Sequence, residues 1–296
     1  MTITASQVKE LRERTGLGMM ECKSALTETG GDIDAAIELL RKKAGAKVEK
    51  KAGRTAAEGV VAVYLSPDRK IAAMVEVNSE TDFVAKGDEF GAFAAAVAAC
   101  VAERNPATAE ALGALPLGGV NAAGTVSQVR EGLVAKLGEN IGVRRFVRYV
   151  SGGGHVASYI HGRRIGVLVE TAGGDEVLGR DLAMHVAASR PAYVSRDEVP
   201  AEVVAKEKEI FVAQAAGSGK PADIVEKMVV GRVNKYLGEI TLLGQPFVKD
   251  PEVTVDKLLK KSAARVIRFC RYEVGEGIEK GGGDFAAEVM AQVRGG

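Results

Sequence analysis

The chain has 296 residues, 46% hydrophobic and 27% charged, enough for two or three domains with a sizeable core. Its 40 Lys and Arg against 39 Asp and Glu carry no excess of the kind a nucleic-acid or membrane-surface binder shows, so the expected partners are proteins or small ligands. Three cysteines, Cys22, Cys100 and Cys270, lie far apart and in no metal-ligand spacing, which predicts buried, reduced thiols in a cytoplasmic protein. No secretory signal is expected, because charges interrupt the first residues from Lys9 to Arg14, and the apolar run 90–102 is shorter than the about 20 residues that cross a bilayer.

Residues 1 to about 45 read as three short helices. Val8 and Leu11, then Met19, Cys22, Ala25 and Leu26, then Ile33, Ala36, Ile37 and Leu40 recur at helical spacing, with Gly16, Gly18, Gly30 and Gly31 as punctuation. Met19 and Met20 are consecutive, so one helix face cannot bury both; either one of them is core, or a partly exposed Met is a flexible apolar contact for a partner. The basic stretch 41–54 has no aromatic residue to stack on bases and reads as a helix end and linker, with a direct RNA contact as the weaker reading.

From residue 55 the chain repeats itself. Residues 58–77 echo 154–171 as two strands joined by a polar turn, each followed by an Ala/Val-rich helical run (90–101 and 182–189). Residues 143–150 echo 266–274 as a third strand preceded by a helix, which gives two related three-stranded α+β subdomains. In 143–150 the alternation places Arg145, Val147 and Tyr149 on one face and Phe146, Arg148 and Val150 on the other, with the charges expected in solvent.

The junction Thr81-Asp82-Phe83-Val84-Ala85-Lys86 lies between a strand-like and a helix-like run. Two readings of it stand. Thr81 or Asp82 caps the helix with Phe83 tucked back onto the apolar face, or the rigid flanks present Asp82 and Phe83 as a binding tip.

In the second copy, 199–216 and 221–238 are two charged helical runs separated by Gly217-Ser218-Gly219-Lys220. They should form an antiparallel hairpin, with Val203, Val204, Ile210 and Val212 facing Ile224, Met228, Val233 and Leu237. The glycine-lysine run is no phosphate loop, since Gln214 and Pro221 stand where Gly and Ser or Thr are needed. Residues 106–124 read as a surface loop, 242–251 as a turn-rich return, and 281–291 as a glycine loop and a short apolar helix. His155, His161 and His185 match no zinc spacing, and no catalytic triad can be assembled, so the chain reads as a non-enzyme without metal or cofactor.

The runs 8–26, Thr81 to Lys86, 183–189, Leu242-Leu243-Gly244-Gln245-Pro246-Phe247-Val248 and 273–280 together resemble the bacterial translation elongation factor Ts family, over nearly the whole chain. The resemblance implies a ubiquitin-associated-like helical domain with a basic linker (1–54), two core subdomains (55–151 and 152–275), a coiled-coil hairpin inserted at 199–238, and a C-terminal module (276–296). It also implies a guanine nucleotide exchange factor that binds the GTPase EF-Tu and speeds GDP release and GTP binding by displacing Mg2+. Thr81, Asp82, Phe83 and Val84 would be the wedge; Arg12, Met19, Met20, Lys23 and His161 would be partner contacts. Neither a membrane nor a small-molecule substrate is implied. Gly87 departs from the Asn expected after this motif, which affects the path into the helix. Two readings compete: a nucleic-acid-binding module built on the first helices and the basic linker, whose affinity would fall steeply with salt, and a small-molecule enzyme with its site between the two copies.

Overall fold

A computed structural model describes residues 3–118, 124–216 and 221–279. Among these the fold is α+β, with eleven α-helices and small sheets. The turn expected at 217–220 and the expected C-terminal helix lie outside the described residues. Two compact units are present, one of residues 3–62, 75–146 and 273–279, the other of 63–74 and 147–272.

The first unit opens with α1 (Ala5–Thr15), α2 (Met19–Glu28) and α3 (Ile33–Lys51). Thr4 and Gln7 close a capping box on α1, and Asp32 caps α3 through Ala35 N, so local chemistry fixes where both helices start. Val8, Leu11, Cys22, Ala25, Leu26, Ala36 and Leu40 form their shared core, much as the periodicity predicts. The basic stretch is not an open linker: α3 runs through it to Lys51. Lys43 pairs with Glu28 at 2.6 Å, Lys47 with Glu21 at 2.6 Å, and Lys51 reaches the carbonyl of Gly138.

Then come β1 (Glu58–Leu65), β2 (Ile71–Ser79), α4 (Asp82–Lys86), α5 (Asp88–Arg104), α6 (Ala109–Ala114), α7 (Val126–Leu137) and β3 (Gly142–Val150), with sheet order β1-β2-β3. All of β2 beyond Ile71 is buried, and α5 buries Phe90, Phe93, Ala94, Val97, Ala98 and Val101. The expected loop 106–124 in fact contains α6, because Thr108 caps it and Leu112, 1% exposed, anchors it.

The second unit holds β4 (His155–His161), β5 (Ile165–Ala172), α8 (Glu176–Ser189), α9 (Ala201–Ala216), α10 (Ala222–Ile240), the short pair β6 (Pro246–Phe247) and β7 (Asp250–Thr254), α11 (Val255–Lys261) and β8 (Arg265–Glu273). Its sheet order is β4-β5-β8. Val167, Val169, Leu182, Val186, Leu242, Phe247, Val255, Leu259 and Val266 belong to its core. Helices α9 and α10 run antiparallel, since the Phe211 ring meets Tyr236 at 6.5 Å and Arg232 bonds Gln214 at 3.2 Å. The expected seam is corrected in part: Ile210, Val212 and Ile224 are exposed, while Ala215, Val229 and the Phe211–Tyr236 contact fill the joint. Val203, Val204, Met228, Val233 and Leu237 are half-buried, as a seam residue should be.

The repeat holds at the level of single atoms. In the first unit Arg145 Nε meets the fully buried Glu76 at 2.6 Å; in the second Arg268 Nε meets Glu170, 4% exposed, at 2.7 Å. A Cβ on Gly59 would lie 2.1 Å from the carbonyl oxygen of Val77, and one on Gly154 would lie 1.9 Å from that of Thr171, so a glycine near the start of each first strand, the second residue of β1 and the residue before β4, is pressed against the second strand. Arg145 therefore does not reach out to solvent as the alternation suggested. A buried carboxylate on the neighbouring strand draws it back. Burial raises the pKa of Glu76, but the Gly275 N–H, Arg145 and Asn78 outweigh it and hold the group below the usual carboxylate range.

Candidate functional site

After β2 the chain turns sharply. Thr81, in extended conformation, caps α4 by accepting Val84 N at 3.4 Å, and Gly87 ends α4 while opening α5. So short a helix buries only Ala85, and its second residue, Phe83, is 84% exposed. The reading in which Phe83 tucks onto the apolar face is therefore overturned: Ala85 takes that place. Asp82 is half-exposed and bonds Lys86 Nζ at 2.5 Å; the Lys86 ammonium holds its carboxyl below the ordinary range.

The base of this turn is held from the α7–β3 connection. Glu139 Oε2 accepts the backbone N–H groups of Glu80 (3.1 Å) and Thr81 (3.0 Å), while Oε1 accepts the Thr81 hydroxyl at 2.5 Å. Glu80 returns the contact by accepting Asn140 N at 2.6 Å, and Asn140 Nδ2 donates to the Arg54 carbonyl at 2.8 Å. Neither Glu139 nor Asn140 is singled out by sequence, because the 58-residue separation from Thr81 leaves no local signal.

On the helical domain, Met19 is 59% and Met20 75% exposed, and Lys23 and Arg12 are exposed as well. One of the two Met was expected in the core under the structural reading; neither is. Cys22, Ala25 and Leu26 already fill the inward face, leaving the first turn of α2 outside. Met19, Met20 and Lys23 thus share one exposed turn.

In the second unit His161 ends β4 and pairs with Ile165 of β5; Gly162 (φ 55°) and Arg163 (φ 60°) are the left-handed central residues of the turn between them, closed by Arg164 N donating to the His161 carbonyl at 3.1 Å. His161 is exposed; its Nδ1 is 3.1 Å from Tyr159 Oη and the rings stack 6.2 Å apart at 28°. Tyr159 and His161 share one strand face, which is how residues two apart come into contact. Of the other histidines, the half-buried His155 is hydrogen-bonded with Thr171 Oγ1 at 3.0 Å, and His185 is fully buried between Gln245 and Val248 N.

A cleft of about 490 Å³ lies among α1, α3 and α7, lined by Leu17, Ile37, Leu40, Val129 and Leu133 together with exposed charges. Glu38 in this cleft has its pKa lowered by Lys42 four residues on, an ordinary surface pair. No cluster of three or more potential metal ligands, and no helix long and apolar enough to cross a membrane, occurs among the described residues.

A family model described as Elongation factor TS matches residues 80–276. Proteins named Elongation factor Ts from Methylococcus capsulatus and Alkalilimnicola ehrlichii are 64% and 61% identical, covering 99% and 100% of this chain and the same shares of their own lengths. One from Legionella pneumophila is 53% identical over 99% of both chains. With a match this long and relatives alike from end to end, the chain belongs to the elongation factor Ts family.

Proposed function

We propose that this nucleotide exchange factor binds EF-Tu·GDP in the cytoplasm and drives GDP out by inserting Phe83 into the GTPase, without any covalent step. A partner that binds the nucleotide-free GTPase more tightly than the loaded one must weaken nucleotide binding by the same factor. Phe83 supplies that difference if its ring is buried only in the nucleotide-free complex. Burying an exposed Phe contributes about 1.5–3 kcal/mol, which corresponds to roughly 10- to 150-fold in nucleotide affinity. Asp82 would add a carboxylate near the Mg2+ site, and loss of Mg2+ removes the main charge that neutralises the phosphates. In this reading α1–α3 act as a ubiquitin-associated-like domain that grips the GTPase through Arg12, Met19, Met20 and Lys23; His161 serves a second contact, and α9–α10 are the coiled-coil module.

The observation that carries the proposal is the 84% exposure of an aromatic ring on a capped, hydrogen-bonded turn, where an isolated apolar side chain has no folding role. Nothing in the comparisons favours the nucleic-acid reading, and Lys43 and Lys47 are engaged by Glu28 and Glu21. Stopped-flow release of a fluorescent GDP from EF-Tu tests the proposal. The wild-type protein should accelerate release, and Phe83→Ala should lose roughly 10- to 150-fold of that acceleration with its circular dichroism unchanged. Absence of acceleration by the wild type would overturn the function; equal acceleration by the variant would overturn the wedge.

A further inference from the structure

We infer that Glu139 is a positioning residue for exchange: its carboxylate fixes the angle at which the Asp82–Phe83 tip leaves the sheet. The inference rests on the exchange reading above.

Both oxygens of Glu139 are used on the tip. One takes the Glu80 and Thr81 N–H groups at 3.1 and 3.0 Å, the other the Thr81 hydroxyl at 2.5 Å. These donors immediately precede Asp82, and Thr81 Oγ1 is also the cap of the five-residue helix that carries Phe83. So short a helix cannot hold its own direction, since its few internal bonds do not repay the ordering of the chain. Two backbone bonds and a hydroxyl bond to an ionised group are stronger than neutral ones and define both position and rotation of the turn. The reciprocal bond from Asn140 N to Glu80 Oε1 at 2.6 Å, with Arg54 3.6 Å from the same carboxylate, holds the connection that carries Glu139.

The internal repeat supplies a control. In the second copy β5 leads through a short turn straight into α8, the counterpart of α5, whose cap Asp175 accepts Leu178 N at 2.8 Å, with no helix in the place of α4. That turn is made by Gly173 and Gly174, with φ 72° and 73°, and the connection from α11 to β8, Ser262-Ala263-Ala264, contains no carboxylate. The fold therefore closes this turn without an acidic clamp. The clamp accompanies the extra helix α4 that carries the exposed ring, as expected if its role is to aim the ring rather than to stabilise the sheet.

The test is stopped-flow GDP release from EF-Tu, titrated with the full-length protein so that maximal rate and half-saturating concentration separate. Glu139→Ala should lower the maximal rate on the order of ten-fold, the scale of a small misplacement of an acting group, and leave the half-saturating concentration within about two-fold. Glu139→Gln should restore most of the rate, because its carbonyl can accept both N–H groups and its amide can donate to Thr81 Oγ1. In a Phe83→Ala background, Glu139→Ala should add almost nothing, since there is no ring left to aim. A wild-type maximal rate for Glu139→Ala, or an equal further loss in the Phe83→Ala background, would overturn the inference. Failure of the wild type to accelerate release would instead reject the exchange reading itself. Should Glu139→Ala not fold, Glu139→Asp, which withdraws the carboxylate by one methylene, takes its place with the same criteria.

Discussion

At the scale of single residues, His185 shows how a buried polar group reports on pH. Val248 N donates to its Nδ1 at 3.1 Å, so that nitrogen is unprotonated and Nε2–H donates to Gln245 Oε1 at 2.9 Å. Gln245 in turn donates to the Glu239 and Ser189 carbonyls, which links α8 to the end of α10. Four residues before His185 on α8, Asp181 pairs with Lys249 after β6 at 2.5 Å, and two residues after it the Ala187 carbonyl accepts from Arg271 of β8 at 3.3 Å. Burial lowers the pKa of His185 from its ordinary 6.5, the Gln245 bond opposing only in part. The unfolded chain therefore takes up this proton before the folded one. The contribution of His185 to stability is full above about pH 6.5 and declines as pH falls below it, by at most about 1.4 kcal/mol per pH unit. Thermal unfolding between pH 7.5 and 5.5 should show this decline in the wild type, whereas His185→Gln, less stable at pH 7.5, should be nearly flat; parallel slopes would exclude His185 as the source. Sequence located Asp82, Phe83, Met19 and Met20, but their exposure was undecided there, because it depends on which neighbours fill the core: Ala85 for the first pair, and Cys22, Ala25 and Leu26 for the second.

At the scale of elements, the hairpin α9–α10 is an insertion whose two roots meet. Ala192 N donates to the Ile240 carbonyl and Leu242 N to the Tyr193 carbonyl, both at 2.8 Å, and Tyr193 bridges Thr241. The chain thus leaves and re-enters the second unit at one place, and loop-closure entropy changes slowly with the length of what is inserted. Little of the hairpin is buried: Ala215 and Val229 are its fully buried apolar residues among those described. Replacing residues 201–238 with a short Gly-Ser linker should leave the far-ultraviolet circular dichroism of the remainder intact and the unfolding midpoint within a few degrees. A drop of 10 °C or more, on the order of the loss of 2 kcal/mol, would show that the hairpin supports the unit. The hairpin, the six main strands and most of the helices could be placed from periodicity and glycine positions. Helix α6 and the extension of α3 could not, since composition rich in Ala and Gly, or in Lys, says little about helix or loop until a cap such as Thr108 or a pair such as Lys47–Glu21 is seen in place.

At the scale of the whole molecule, the repeat means that one architecture appears twice with different surface chemistry. Sheet order, the starting glycines Gly59 and Gly154, and the ion pairs Glu76–Arg145 and Glu170–Arg268 are common to both copies. The second copy, which has no counterpart of α4, still exposes an apolar residue in the first turn of the helix after β5: Val177, 64% exposed, follows the cap Asp175 by two residues as Phe83 follows Thr81. Its acidic neighbour Glu176 is bonded to Arg69 of another element, whereas Asp82 pairs with the flexible Lys86 on its own helix. Val177 also offers much less apolar surface than a phenyl ring, and no carboxylate holds its turn from the α11–β8 connection. If shape alone made the wedge, both tips would act. If the ring and the clamp make it, only the first would. Val177→Ala should therefore release GDP from EF-Tu at a rate within about two-fold of wild type while Phe83→Ala loses at least ten-fold, the difference expected between burying a few methyl groups at the rim and burying a whole aromatic ring. Comparable losses at the two positions would mean that both copies press on the GTPase, and that the repeat serves the exchange reaction symmetrically.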